Sequence, residues 1–235
     1  MKDERNRTSM QTLLNPQLLT PGSSDAKILI DLHFLPSIEY FCALQPFKTI
    51  VLEKNEHFTK QSFRNRCYIL ESNGIGRITI PLVAEHKKVI VSEVKIDYTT
   101  RWQINLWRTL ESAYAKSPFF EYYSDDLKKE LFFGHVNLYD LNKSLLSMCL
   151  QWLKWGNTIS ESVAYEKTMP PEVVDMRSRI SAKKDFLSRE IYQAHPYQQV
   201  FGSNFAPNLS LIDLVFCEGP TATALVKASQ KNLNK

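Results

Sequence analysis

The run Lys27-Ile28-Leu29-Ile30-Asp31-Leu32 is apolar almost without interruption and of strand length. That pattern belongs to a strand covered on both faces, as in a parallel sheet, rather than to one with a face in water. His33-Phe34-Leu35-Pro36 follows at once. Pro36 bars helix before it, Ser37 can cap, and Ile38, Phe41 and Ala43-Leu44 then fall on one helical face. Thr49-Ile50-Val51-Leu52 is again strand-like. Strand, loop, helix, strand is the outline of a βαβ crossover, which is right-handed almost without exception, and it places the chain in the α/β class.

The next segments add antiparallel structure. Cys67 to Leu70 and Arg77 to Leu82 flank Asn73-Gly74 and read as a β-hairpin. Val89 to Ile96, with Val94 and Ile96 two apart, reads as a further strand. Beyond Asp97 the period becomes helical: Trp102, Leu106, Leu110 and Ala113-Tyr114 recur at three and four residues, and Pro118 closes the stretch. Helices are expected over 120–132 and 138–153, and a strand near 159–165. A buried helix is expected over 211–217, with Ser210 as cap and Asp213 completing a near capping box, then a last helix over 221–228. The expected architecture is α/β: a mixed β-sheet with a β-hairpin in the N-terminal half, flanked by helices mostly from the C-terminal half.

Residues 1–25 are polar and carry Pro16, Pro21 and Gly22, so they read as a mobile leader, with a single domain over 26–235. A chain of 235 residues with 43% hydrophobic and 23% charged residues can close one substantial core. The four cysteines, Cys42, Cys67, Cys149 and Cys217, lie far apart in apolar contexts, which reads as buried free thiols of a reducing compartment. No apolar run reaches the length of a membrane span and no secretory h-region is visible, so a cytoplasmic protein is expected. The net charge of +4 is mild and its residues are interspersed with acids, which argues against a nucleic-acid partner.

His33 stands where open α/β sheets bind ligands, beyond the carboxyl end of a strand. It is a candidate catalytic base, and the alternative is a structural hydrogen bond. Just past the second strand come Glu53, Glu56, His57, Lys60, Gln61, Arg64, Asn65 and Arg66. Lys60, Arg64, Asn65 and Arg66 are the candidate substrate-binding group. Their cations suit a phosphate, a nucleotide-linked sugar or a carboxylate. The alternative is a solvated ion-pair network with Glu53 and Glu56. Trp102, Trp107 and Tyr114 read as core. There is no glycine-rich phosphate loop, no nucleophile triad and no histidine pair at metal-ligand spacing, so no cofactor and no metal are assigned.

The blocks HFLPSIEYF at 33–41, EKNEHFTKQSFRNRCYI at 53–69, ITIPL at 78–82, LWRTLESAYAKSPFFEYY at 106–123 and NLSLIDLVFCEGP at 208–220 resemble the WbqC-like family. That resemblance implies bacterial O-antigen or other surface-polysaccharide biosynthesis and transfer of a glycine or similar acyl group onto a sugar. Its recurrent polar positions fall on His33, Lys60, Arg64, Asn65 and Arg66. Where relatives often carry a histidine before the second tryptophan of the tryptophan-rich helix, this chain has Leu106. The expected function is a transferase with an anionic partner, a nucleotide-sugar or an acyl donor. The alternative is a non-catalytic assembly or regulatory module, which predicts an exposed apolar patch within 157–205 and no pocket near His33.

Overall fold

A computed structural model describes residues 26–84 and 88–231. The expected leader, 1–25, lies outside the described residues. Four parallel strands make the central sheet: β1 (Lys27–Asp31), β2 (Thr49–Glu53), β5 (Thr158–Glu161) and β6 (Val173–Asp175), in the spatial order β5-β2-β1-β6. The pairing sets Asp31 beside Glu53 and Leu29 beside Asp175. Helix α1 (Ile38–Leu44) joins β1 to β2 and is buried on every side, Glu39 included, so the crossover read from the sequence forms as expected.

The strands β3 (Arg66–Glu71) and β4 (Gly74–Thr79) make a separate antiparallel hairpin. Its two-residue turn is Ser72-Asn73, one position before the expected Asn73-Gly74, and Gly74 opens β4 at φ +116, a conformation that side chains resist. The expected strand over 89–96 does not form. Val91–Glu93 is a single tight turn, and the extended residues on either side bond to three different segments. Val89 accepts from Phe58, Lys95 accepts from Val83, and Ile96 donates to Val136 while Val94 accepts from Leu138. Val94 and Ile96 stay buried, so alternation reported which side chains face inward but not a shared ladder.

Helix α2 (Trp102–Tyr114) closes the N-terminal half, and α3 (Phe120–Phe132), α4 (Leu138–Trp152), α5 (Leu211–Glu218) and α6 (Ala222–Ser229) come from the C-terminal half. Their packing turns on Phe216, whose ring lies 5.2 Å from Tyr114, 5.1 Å from Phe120 and 6.4 Å from Trp152. The tryptophans Trp102 and Trp107 are core, as expected. Gly219 ends α5 at φ +54, and a Cβ there would meet the Phe119 ring at 2.5 Å, so only glycine fits both the turn and the packing.

The capping box expected at 210–213 is absent. Ser210 Oγ donates to the Leu35 carbonyl at 2.8 Å, tying α5 to the loop after β1. Asp213 turns inward to Tyr114, Tyr197 and Gln199. Ser37 makes no side-chain cap either. All four cysteines are free and buried. Among the described residues no helix is long and apolar enough to cross a membrane.

Candidate functional site

Each of the four parallel strands ends on a carboxylate: Asp31, Glu53, Glu161 and Asp175. An aligned row of acids at one edge of a sheet is repulsive unless cations are drawn to it. Glu161 is met by Lys54 and Lys143, and the cations for the other three come from two loops. Arg64 arrives from the turn-rich segment after β2, and Arg177 from the segment after β6.

Arg64 lies between two acids. Its Nη2 is 3.1 Å from Asp31 Oδ2 and 2.5 Å from Glu56 Oε1, and its Nε donates to the same Glu56 oxygen at 2.8 Å. Asp31 Oδ2 also receives His33 Nε2 at 3.0 Å, and Asp31 Oδ1 receives the Ser178 N–H at 2.7 Å. Burial alone would lift the Asp31 carboxyl, but His33 first, then Arg64 and the Ser178 amide, outweigh it and hold it down at about 2. Burial pushes Glu56 up to about 7 in spite of Arg64, with the Asp31 and Glu53 charges adding to the rise.

His33 is 1% exposed. Its ring is fixed between Tyr40, with centroids 4.8 Å apart, and Phe63, at 5.3 Å. The Phe34 N–H donates to the Phe63 carbonyl at 2.9 Å, which docks the loop after β1 onto the one before Arg64. Because Asp31 holds Nε2, the ring presents Nδ1 inward, and that atom has no hydrogen-bond partner. A carboxylate on one imidazole nitrogen and a bare lone pair on the other is the arrangement of a general base with its orienting acid. Two side-chain-bearing residues beside it, Leu35 at φ 39 and Ser178 at φ 57, sit in the left-handed region, a conformation found where surroundings over-determine the backbone.

The second cation, Arg177, donates to Glu53 at 2.8 Å and to Asp175 at 2.7 Å, and lies 4.7 Å over the Tyr165 ring. Glu53 also accepts from Ser162 Oγ at 2.6 Å. Strand order reverses between β1 and β6, and Asp31, Arg64, Arg177 and Ser178 meet beyond the carboxyl ends of those strands, where ligands of open α/β sheets bind. From α4, Asn142 Nδ2 donates to the Arg64 carbonyl at 2.7 Å, and Tyr139 brings a buried hydroxyl with no partner.

The structure thus brings His33 and Arg64 together through Asp31. Asn65 follows them inside, its Nδ2 donating to the Ile80 carbonyl at 3.0 Å. Arg66 is half-buried and Lys60 exposed. Asp31, Asn142, Arg177 and Ser178 were not singled out in the sequence; the signal for the first was an acid as the last residue of a buried strand. Two surface hollows, of about 240 and 350 Å³, are lined around Glu71 and Arg108 and around Asp126 and Ser144, not by His33. No group of three or more histidine, cysteine, aspartate or glutamate side chains among the described residues is arranged to hold a metal ion.

The model of the WbqC-like protein family matches residues 32–189. The chain belongs to the WbqC-like protein family. An uncharacterized protein of Mycobacterium tuberculosis (strain ATCC 25618 / H37Rv), Rv1507c, is 26% identical over 223 residues, covering 83% of this chain and 94% of its own length. No solved structure matches. In this WbqC-like chain Leu106 is a buried core residue of α2, beside Trp107.

Proposed function

We propose that this WbqC-like protein is a cytoplasmic enzyme of bacterial surface-polysaccharide (O-antigen) biosynthesis. It transfers an acyl group, such as the aminoacyl group of glycine, from an activated anionic donor to an amine or hydroxyl of its acceptor. The observation that supports this best is the buried Asp31–His33 pair, with the Nδ1 lone pair bare. In the proposed step Nδ1 takes the proton of the attacking N–H or O–H as the new bond to the acyl carbon forms. The donor's leaving group departs with its electron pair and receives that proton or one from solvent. Arg64 acts by positioning Asp31, since its guanidinium is taken up by two acids. The donor's phosphate or carboxylate falls to Lys60 and Arg66.

Thermal-shift screening against nucleotide-sugars, acyl-phosphates and aminoacyl donors identifies the donor, because a ligand at 100 times its Kd stabilises by about 2.7 kcal/mol. His33→Gln then reduces transfer by roughly 10²–10⁴-fold, the usual worth of a general base. Wild-type turnover in that variant removes the proposal.

A second reading, a non-catalytic assembly or regulatory module, is favoured by a different observation. Val163 is 96% exposed, Leu187 71% and Tyr165 51%, all within the segment 157–205. A purified chain that binds none of those donors but forms a stable complex with another protein of the same pathway supports it.

A further inference from the structure

Three buried side chains around Arg64 each have a donor in use and an acceptor bare. Asn142 and Asn65 give their Nδ2 atoms to the carbonyls of Arg64 and Ile80. A carbonyl only accepts, so each amide has its nitrogen toward the backbone and the atom left over is the oxygen. Similar reasoning applies to His33: an ionised Asp31 only accepts, so Nε2 carries a proton, and in the neutral ring Nδ1 keeps the lone pair. The Oδ1 atoms of Asn65 and Asn142 and the Nδ1 of His33 have no hydrogen-bond partner, in residues 8%, 2% and 1% exposed. Buried acceptors are ordinarily satisfied, so three around one residue ask for donors.

The fixed charges point the same way. Asp31, Glu53 and Asp175 surround Arg64 and Arg177, three carboxylates to two guanidiniums, with Glu56 adding a fourth as pH rises above about 7. A further anion entering there is repelled, whereas a neutral or cationic donor is not. Arg66 carries the opposite kind of bare atom, a donor, at Nε.

Resting on the acceptor role proposed for His33, we infer that the interior of the site takes the donor-rich end of the acceptor substrate, an amine or a polyol. It excludes a phosphate or carboxylate, and Asn65 and Asn142 select the group that His33 deprotonates. Asn142 thereby becomes a binding residue contributed by α4. The anionic end of the donor is confined to the rim.

Ethanolamine, glycerol and inorganic phosphate, titrated separately into the full chain with isotope-labelled histidine, test this by magnetic resonance. Ethanolamine and glycerol are expected to shift the His33 Nδ1 signal toward its hydrogen-bonded range, and phosphate to leave it in place. Asn142→Ala is expected to weaken ethanolamine binding about tenfold, the loss of one hydrogen bond, and Lys116→Ala, at an exposed lysine outside the site, to leave it unchanged. Phosphate moving the signal as ethanolamine does overturns the inference, as does no response to either donor because water fills the site. If Asn142→Ala does not fold, the three probes on the unaltered chain still decide. Transfer activity in a chain whose His33 ignores amines and polyols sinks this inference alone; a response without any transfer sinks the transfer reading alone.

Discussion

Asp31 and Asp213 are both aspartates, both buried to about 1% or less, and their surroundings hold them in opposite ways. Asp31 has a guanidinium and an imidazole N–H as its partners, from Arg64 and His33, and is kept ionised with its carboxyl at about 2. Asp213 has neutral ones: Tyr114 donates to it at 2.8 Å, Tyr197 at 2.5 Å and Gln199 at 3.1 Å. Burial raises its carboxyl, and those three donors only partly offset the rise. The Asp213 cluster is closed, each donor pinning α5 to α2 or to the segment 197–199. Around Asp31 the network ends on bare acceptors. Burial of a carboxylate is therefore common to structural and candidate catalytic positions, and what separates them here is whether the hydrogen-bond chain is complete.

The largest effect should come from taking away the cation of the open cluster. Arg64→Leu leaves Asp31 and Glu56 buried and facing each other, and a broken buried pair costs about 3–5 kcal/mol. Urea unfolding would measure it, and a loss below about 1 kcal/mol would mean that water already screens the pair. At the closed cluster, Asp213→Asn turns part of an acceptor into a donor aimed at phenol and amide donors, a loss of about 1–3 kcal/mol. His33 resonances should be unmoved by that change, because the two centres share no partner.

pH separates the two regions further. Glu56 is raised from 4.5 to about 7, so the folded chain binds its proton more tightly than the unfolded chain does. Stability should therefore rise as pH falls from above 7 toward 4.5. Asp31 is lowered from 3.8 to about 2, so its contribution is full above 3.8 and is lost as pH falls through 2. Glu56→Gln should flatten the upper rise and leave the acid limb in place, and Asp213→Asn should remove the share of the rise owed to its own raised carboxyl. Unfolding free energies across that range check the sign. The smallest effect belongs to Lys60→Ala, within about 0.5 kcal/mol, as for exposed side chains in general.

Legibility in the sequence followed locality. The crossover from β1 through α1 to β2, the hairpin and the helix at 120–132 rest on periodicity and punctuation within a few residues, and they form, the hairpin with its turn one position early. The segment 89–96 misled because its alternation is genuine while its backbone partners are dispersed, and no local pattern encodes dispersal. Ser210 and Asp213 have the spacing of a cap, yet the Leu35 carbonyl and two tyrosine hydroxyls, remote in sequence, take them instead. Of the candidate site, His33 and Arg64 were readable from their place after strands. Their dependence on Asp31, and the approach of Asn142 and Ser178 from 78 and 147 residues away, required the fold.

The tautomer of His33 in the unliganded protein tests the central claim most directly. Nitrogen chemical shifts of its ring at neutral pH should show the proton on Nε2, facing Asp31, and a free lone pair on Nδ1, with the preference lost in Asp31→Asn. A proton found on Nδ1 instead would contradict the account, since the ring would then have no lone pair to offer a substrate.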